Sequence, residues 1–400
     1  MAKKNVYYIS ITFLLFLLVA ALIFYKLAHS NNNLNTKTRY ITIIDAGSSG
    51  SRLFIYKISP PSREFKNQNI PIITEIKIPD NKVEPGISKF ANNITDLEQY
   101  INPLLNKANS FFKKAKIRTK SKVDFYILGT AGMRLLHNPE QNNIYQNLNN
   151  IVSKSNKFNQ IITKTIPGDY EGLFDWLSVN YYEKNLQFNK PTAATLDMGG
   201  ASTQVAFATH TYTDLDNTFE IEFGNARYTI VSKSFLGLGL DEFRKTFTGN
   251  IRNNENICNP NPNFDFKLCK KDIKKELNNS LKKDNPSAYL SYPIESNMKL
   301  IGISGYYYKF KFFTIDKISE IPKKISNKCM SNLDDFIDNN KNKDQVKYLL
   351  SHCFDTAYID TLLVHKYKIP KLYKNFEVAS QDVSWTLGAA LLFATQTDSN

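Results

Sequence analysis

The hydrophobic pattern of the chain begins with one long apolar run and continues as short segments. The long run covers residues 6–25 and is interrupted by Ser10 and Thr12. Among the short segments, residues 40–44 and 123–128 are rich in β-branched or aromatic residues, which predicts strands. Beyond residue 171, apolar side chains recur at helical spacing, at Leu173, Phe174, Trp176 and Leu177. We therefore expect an α/β chain behind an apolar N-terminal segment.

The N-terminal run is long enough to cross a membrane. A helix needs about 20 apolar residues to span a bilayer, whereas a cleavable signal core has about 7 to 15. Lys3 and Lys4 precede the run, so the N-terminus is predicted to stay inside. We predict an anchor, or alternatively a signal sequence, in residues 1–27 and a polar linker in residues 28–36. The remaining chain would lie outside the cytoplasm, membrane-anchored or, after signal cleavage, secreted or periplasmic.

Composition indicates a folded, basic protein of more than one lobe. The 400 residues include 42% apolar side chains, and 51 Lys and Arg outnumber 37 Asp and Glu. A chain of this length exceeds what one hydrophobic core usually serves, so two lobes are expected. The net charge of +14 is spread along the sequence and accompanies no nucleic-acid-binding motif. We interpret it as a solvated basic surface.

The cysteines favour an oxidising compartment. There are four, all in the second half of the chain: Cys258, Cys269, Cys329 and Cys353. Three pairings are possible, and pairing of neighbours, which closes the shorter loops, is preferred. A zinc site is disfavoured because the paired CxxC knuckles of such sites are absent from the sequence.

Two segments combine an aspartate with small residues between strands. They are residues 45–51, Asp-Ala-Gly-Ser-Ser-Gly-Ser, and residues 197–202, Asp-Met-Gly-Gly-Ala-Ser. Glycine and serine let consecutive amide N–H groups point into one concavity, where a phosphate can approach closely. A phosphate-binding loop is one interpretation of each segment, and an ordinary glycine-rich hairpin is the other.

The recurrence of the segment favours phosphate binding. It suggests two related lobes that each present one loop to a shared cleft, as in actin-like, ribonuclease-H-like ATPase folds. Asp45 and Asp197 stand where the two preceding strands end. Two carboxylates that converge on phosphates can hold Mg²⁺ or Ca²⁺ through its water shell, because these cations prefer oxygen ligands.

Three further segments complete a recognisable set: residues 129–134, 167–172 and 380–389. With the two loops, in this order and at these spacings, they resemble the five apyrase signature regions of the ecto-nucleoside triphosphate diphosphohydrolases, across residues 40–392. The resemblance implies a two-lobed, actin-like α/β fold with the active site in the interlobe cleft. It also implies divalent-cation-dependent hydrolysis of nucleoside tri- and diphosphates, such as ATP and ADP, to AMP and phosphate.

The resemblance also assigns roles to individual residues. Glu171 would be the general base, and Ser202 and Gln204 would place the attacking water. Thr130 would lie near the attacked phosphate, whereas Arg134 is ranked lower because it could be a structural ion-pair partner. The phosphate-binding positions would be Ser48, Ser49, Gly50, Gly199, Gly200, Ala201 and Ser202.

The position of Glu171 has two interpretations. A carboxylate in the first turn of a helix is kept ionised by the helix dipole, as a base working near neutral pH must be. Glu171 could instead only stabilise the start of the helix, with Asp169 as its cap. The signature around Glu171 favours the base.

Tyrosines provide candidates for stacking on a nucleotide base. Tyr306, Tyr308 and Tyr358 fall where relatives carry stacking residues. Aromatic faces bind purines and pyrimidines with little discrimination. Most aromatic side chains belong to protein cores, so a place in the core is the alternative for each of the three.

The last signature is expected to return the chain to the first lobe. Lobe one would comprise residues 37–165 and 378–400, and lobe two residues 166–377. The layout is nearer to bacterial or parasite members of the family, and we expect a monomer that binds no nucleic acid. The rivals are an exopolyphosphatase, which handles a polymer without a base pocket, and a non-catalytic, nucleotide-gated actin-like protein. The predicted anchor and the cysteines argue against both.

Overall fold

The structure is a computed structural model that describes residues 38–61, 69–210, 217–250, 257–284, 297–342, 344–380 and 383–396. The predicted anchor and linker, residues 1–36, lie outside the described residues. Within the described ranges, no helix is long and apolar enough to cross a membrane.

The first sheet is formed by strands from the first half of the chain. Its strands are β1 (Arg39–Ala46), β2 (Ser51–Ser59), β3 (Ile72–Ile76), β4 (Lys82–Val83), β5 (Val123–Gly129) and β6 (Gln160–Thr165). They lie in the order β3-β2-β1-β5-β6, with β4 also paired to β2. β1, β5 and β6 are parallel, whereas β3 and β4 run antiparallel to β2. The sheet is therefore mixed, with its parallel strands on one side.

The second sheet is formed by strands from the rest of the chain. They are β7 (Ala194–Met198), β8 (Ser202–Thr209), β9 (Thr218–Phe223), β10 (Ala226–Leu236), β11 (Leu300–Ser304) and β12 (Phe376–Val378). Their order is β12-β11-β7-β8-β10-β9. β7, β11 and β12 are parallel, and β8 runs antiparallel to both β7 and β10.

The two sheets repeat one strand order. The order β3-β2-β1-β5-β6 of the first corresponds to β10-β8-β7-β11-β12 of the second. In each sheet the central strand, β1 or β7, carries an aspartate close to its end and leads through a glycine-serine loop into the neighbouring strand. The repeat agrees with the expected relationship between the two halves. The boundaries of the two lobes stay a prediction.

Helices cover both sheets. They are α1 (Leu97–Lys114), α2 (Thr119–Lys122), α3 (Ala131–Arg134), α4 (Asn138–Ser155), α5 (Gly168–Tyr182), α6 (Leu240–Asn250), α7 (Phe266–Asp284), α8 (Gly305–Phe313), α9 (Ile321–Cys329), α10 (Leu333–Asn340), α11 (Val346–Leu349), α12 (His352–Thr361) and α13 (Trp385–Gln396). One face of the first sheet packs on α1 and α4, and its other face packs on α5 and α13. Side chains alternate along β1, so this strand contributes to both cores. Ile44 and Ala46 pack in the core with α1 and α4, whereas Ile41 and Ile43 pack in the core with α5 and α13.

Helix α5 occupies a central position, since it contacts α13 as well as β8 and β10 of the second sheet. The α5–α13 contact is very close, because a Cβ added at Gly388 would overlap the carbonyl oxygen of Phe174. Ser178 accepts a hydrogen bond from the Gly388 amide at 2.7 Å. Tyr56 of β2 and Thr386 of α13 join their hydroxyl groups at 2.7 Å. The segment after residue 383 is thereby fixed to both α5 and the first sheet.

Two disulfides stabilise the helical part of the second half. They join Cys258 to Cys269 and Cys329 to Cys353, with Cα–Cα distances of 5.1 and 6.1 Å. All four cysteines are therefore used. The prediction that neighbours pair is confirmed. The bonded sulfurs lie in the large core that α7, α9 and α12 form against the second sheet.

Candidate active site

The two glycine-serine loops face one cavity of about 410 Å³. Thr130, the residue before α3, reaches the same cavity, as do Glu171 near the start of α5 and the two strand-end aspartates. Gln204 is buried behind the loops. The structure thus brings together all of the predicted phosphate-binding residues: Ser48, Ser49, Gly50, Gly199, Gly200, Ala201 and Ser202.

The loops approach each other and their supports closely at two glycines. A Cβ added at Gly200 would lie 2.7 Å from the Ser48 hydroxyl oxygen of the opposite loop. A Cβ added at Gly132, in α3, would lie 2.8 Å from the Ser48 Cα. Real Cβ atoms do not come this near to other heavy atoms. The second signature therefore supports the first loop, and the first loop faces the second.

Glu171 is held by a network of three polar side chains. It is 6% exposed, and an Arg134 guanidinium nitrogen lies 2.8 Å from its Oε2 atom. Gln204 Nε2 donates to the same oxygen at 3.1 Å. Arg134 and Gln204 both donate to Ser202 Oγ as well, at 3.0 and 2.7 Å. The carboxylate and the serine hydroxyl are consequently fixed side by side.

The charge state of Glu171 reflects two opposing effects. Burial raises the pKa of this carboxyl above its ordinary value, and the Arg134 guanidinium lowers it. Arg134 therefore helps to keep Glu171 ionised, which a general base requires. The sequence identified Arg134 as a possible ion-pair partner, and the structure shows that its partner is Glu171.

Asp45 and Asp197 form an acidic pair in the cavity. Burial raises the pKa of Asp45 to about 7, although the charge of Arg52 and a hydrogen bond from Trp385 lower it. Burial also raises the pKa of Asp197 to about 7, and repulsion from Glu171 and Asp45 acts in the same direction. Trp385 lies within the last signature, residues 380–389, but the sequence did not identify it as a site residue.

These carboxylates fit a divalent cation held through water. The Oδ1 atom of Asp197 is buried without a hydrogen-bond partner in the described part of the chain. Such an oxygen is unfavourable unless a donor or a cation satisfies it. Among the described residues, no group of three or more histidine, cysteine, aspartate or glutamate side chains is placed to bind a metal directly. Hydrated Mg²⁺ or Ca²⁺ would suit the two carboxylates, because these cations prefer oxygen ligands.

A chain of ion pairs, partly exposed at Asp241 and buried at Asp355, supports the second loop. The backbone amide of Asp241, in α6, donates to the Gly200 carbonyl oxygen at 2.8 Å. Arg244 bridges the Asp241 carboxylate at 3.2 Å and Asp355 at 2.5 Å. Asp355 also pairs with Lys309 at 2.9 Å. Burial would raise the pKa of Asp355, but the two cations hold it below the ordinary value. The loop is anchored to the core of the second half.

Of the three predicted stacking tyrosines, only Tyr308 reaches the cavity. It is 44% exposed, and its ring meets that of Tyr307 edge-on at 5.3 Å. Tyr307 also lines the cavity. Tyr306, on the same helix, is completely buried and packs against Phe376. Because successive residues of a helix point about 100° apart, three neighbouring tyrosines cannot all face the cleft. The prediction for Tyr306 is wrong.

The prediction for Tyr358 is also wrong. The residue is fully buried in α12, where its ring stacks on Phe243 with 4.1 Å between centroids. Its hydroxyl donates to the carbonyl oxygen of Leu238 at 2.7 Å. The ring is therefore part of the core that carries α6, and no face of it is free for a nucleotide base.

The repeated sheet order and the facing loops define an actin-like fold. A crystal structure of nucleoside triphosphate hydrolases from Neospora caninum matches 95% of this chain and 97% of its own, with a TM-score of 0.59 at 14% identity. A Ppx/GppA family member from Aquifex aeolicus matches 90% of this chain and 99% of its own, with a TM-score of 0.53 at 14% identity. These similarities confirm the predicted fold.

The chain belongs to the GDA1/CD39 (nucleoside phosphatase) family, whose profile matches residues 31–262 and 252–400. The nucleoside-triphosphatase ntp-1 of Caenorhabditis elegans is 28% identical over 88% of this chain and 73% of its own length. The Golgi apyrase of Saccharomyces cerevisiae is 26% identical over 90% of this chain and 71% of its own. The nucleoside-diphosphatase mig-23 of C. elegans is 25% identical over 96% and 82%. The predicted family and class of hydrolase are confirmed, whereas the likeness to bacterial or parasite members stays a prediction.

Proposed function

We propose that this protein hydrolyses nucleoside triphosphates and diphosphates to the monophosphate in a divalent-cation-dependent reaction. The observation that carries the proposal is the placement of Glu171, Ser202 and Gln204 beside the two facing loops. The family and the relatives named triphosphatase, diphosphatase and apyrase support the choice of substrates.

In the proposed reaction, Ser202 and Gln204 orient a water molecule towards the terminal phosphorus. Glu171 accepts one proton of this water as its oxygen forms the new P–O bond. The bond between the terminal phosphorus and the bridging oxygen breaks, and the shortened nucleotide leaves with the bridging oxygen. Inorganic phosphate and one proton are the other products. The same step on a diphosphate yields the monophosphate.

The loops would bind the phosphates. Backbone N–H groups and hydroxyls of residues 48–50 and 199–202 line the cavity and suit phosphate oxygens. Thr130 is 5% exposed beside the first loop, where its hydroxyl would contact the attacked phosphate. Asp45 and Asp197 would hold the water shell of Mg²⁺ or Ca²⁺, which, when bound, neutralises phosphate charge. Tyr308 would stack against the base.

The alternatives are less well supported. The fold is shared with the Ppx/GppA protein of Aquifex aeolicus, but an identity of 14% shows the fold alone. Tyr307 and Tyr308 provide an aromatic surface that a polyphosphate would not use. A purely nucleotide-gated protein has no need of a buried carboxylate paired with arginine beside a serine and a glutamine.

The setting of the enzyme is proposed on similar grounds. The two disulfides suit an oxidising compartment, and relatives are named Golgi apyrase and ectonucleoside triphosphate diphosphohydrolase. An extracytoplasmic or lumenal location therefore remains our proposal, with residues 1–27 as anchor or signal. We likewise propose that the protein acts as a monomer and binds no nucleic acid.

Phosphate release from ATP, ADP and long-chain polyphosphate, measured side by side, tests the function. We expect both nucleotides to end as AMP, polyphosphate to be the poorest substrate, and a chelator to stop the reaction. Tyr308→Ala should raise KM more than it lowers kcat, because stacking is remote from the reacting phosphorus. Tyr182→Ala, at the far end of α5 and 51% exposed, is the matched control and should behave as wild type. Faster cleavage of polyphosphate than of ADP would refute the proposal in favour of an exopolyphosphatase.

A further inference from the structure

A second carboxylate lies on the same face of α5 as Glu171. Asp175 follows Glu171 by four residues, and side chains at this spacing are neighbours on a helix surface. Asp175 is 1% exposed, whereas Glu171 reaches the cavity. The site therefore has an additional acidic group beneath its surface.

Neither carboxylate oxygen of Asp175 has a hydrogen-bond partner among the residues that the structure describes. By contrast, Ser178 and Asn180, buried on the same helix, both donate hydrogen bonds to backbone carbonyl oxygens. An isolated ionised carboxylate in a protein interior is strongly unfavourable. A negative charge at Asp175 therefore needs a compensating positive charge from elsewhere.

The charged groups that act on Asp175 are acidic. Burial, followed by repulsion from Asp197, Glu171 and Asp45, raises the pKa of Asp175 well above its ordinary value. Arg134 is already paired with Glu171, and the groups that act on the pKa of Asp175 include no cation. The environment consequently has more negative charge than the described protein cations balance.

We propose that Asp175 is a third carboxylate of the divalent-cation site, whose charge, acting from one helical turn beyond Glu171, tightens cation binding. This inference rests on the proposed function, because it takes the cation to bind between the two loops. Without a cation, burial and the neighbouring acids favour the protonated carboxyl of Asp175, and a bound cation would supply the positive charge that favours the carboxylate. Asp175 would in turn attract the cation without touching it, since electrostatic attraction is weakly screened in the protein interior. It is a positioning residue and takes no part in proton transfer.

Binding of Mn²⁺ to the protein without nucleotide, followed by electron paramagnetic resonance, tests the inference directly. Asp175→Asn keeps the shape and removes the charge, so the Mn²⁺ dissociation constant should rise at least tenfold. In chelator, Asp175→Asn should melt at the wild-type temperature or higher, because a neutral amide is easier to bury than a carboxylate. Asp124→Asn is the matched control. Asp124 is also buried, at 5% exposed, but it lies at the start of β5, away from the cavity that Thr130 reaches after the end of this strand, and it accepts a hydrogen bond from Asn159. It should leave Mn²⁺ affinity unchanged.

The outcomes separate the inference from the proposed function. If wild type binds Mn²⁺ and Asp175→Asn binds it within threefold as tightly, Asp175 is not part of the cation site. A lower melting temperature in chelator with unchanged affinity would show a purely structural role and would also overturn the inference. If wild type itself binds no Mn²⁺ without nucleotide, the inference fails, whereas the proposed cation dependence is decided separately by phosphate release from ATP in chelator. Asp175→Ser, which also removes the charge, gives the same readout if the asparagine variant does not fold.

Discussion

Replacing Arg134 with methionine would remove the cation that faces Glu171 while keeping a long side chain. The guanidinium and the carboxylate are 2.8 Å apart, and their side chains are 13% and 8% exposed, so water screens them little. Removing one partner of a buried ion pair costs about 3–5 kcal/mol, because the remaining charge is uncompensated. Each 1.36 kcal/mol is a factor of ten in an equilibrium constant. At a pH below the pKa of Glu171, the ionised fraction of this carboxyl should therefore fall at least about 10²-fold.

The direction of the pH effect follows from the roles of the two groups. Arg134 lowers the pKa of Glu171, so its loss raises that pKa further. A general base works only when it is ionised. The acidic limb of kcat/KM should therefore move to higher pH, and activity lost at neutral pH should partly return in alkaline buffer.

The assay is kcat/KM for ATP across the pH range in wild type and variants. Arg134→Lys keeps the charge but not the planar group that reaches both Glu171 and Ser202, so its acidic limb should stay near that of wild type while kcat falls. Arg227→Met removes an arginine whose side chain is 72% exposed, and it should change neither quantity. An Arg134→Met protein with the wild-type acidic limb and kcat/KM within threefold of wild type would refute the assigned pairing or the assigned base.

Three other perturbations test separate parts of the site and fold. Glu171→Gln keeps the shape but not the proton acceptor, so kcat should fall by about 10²- to 10⁴-fold with little change in nucleotide affinity; kcat within tenfold of wild type would exclude Glu171 as the base. Gly200→Ala places a Cβ 2.6 Å from an Asp241 carboxylate oxygen and 2.7 Å from the Ser48 hydroxyl oxygen, so both side chains must move. With Ser48 displaced, kcat/KM should drop more than tenfold while the melting temperature changes by only a few degrees, and normal kinetics would contradict the proposed role of Ser48. Replacing Cys329 and Cys353 by alanine opens a loop of 24 residues and should lower the free energy of unfolding by about 3 kcal/mol in urea titrations, an estimate that a loss below 0.5 kcal/mol would contradict.

The sequence predicted those parts of the site that are local. Each phosphate loop is a continuous segment whose glycines, serines and aspartate are adjacent in the chain, so its chemistry can be recognised without a fold. The disulfides were predictable for a similar reason, because neighbour pairing closes the shortest loops. The repetition of the loop then indicated the repeated sheet.

The parts that depend on packing between distant segments were not predictable. Tyr358 and Tyr308 are equally aromatic in the sequence, but the stacking of Phe243 on Tyr358 is a contact between α6 and α12. The hydrogen bond from Trp385 to Asp45 likewise joins segments that are far apart in the chain. Asp175 did leave a signal, since it is an acidic residue within an apolar stretch of α5, but only burial distinguishes it from an exposed aspartate.

The docking of α13 onto the first sheet has a consequence for the newly made chain. The hydroxyl contact between Tyr56 and Thr386 joins residues 330 apart in the sequence, and Trp385 beside it contacts Asp45. At about 5–20 residues per second, a ribosome needs about 15–70 seconds to synthesise the intervening polypeptide. Throughout that time the first loop is already made, but the tryptophan that hydrogen-bonds its aspartate does not yet exist. Translation therefore completes the surroundings of Asp45 only when synthesis of the chain is nearly finished.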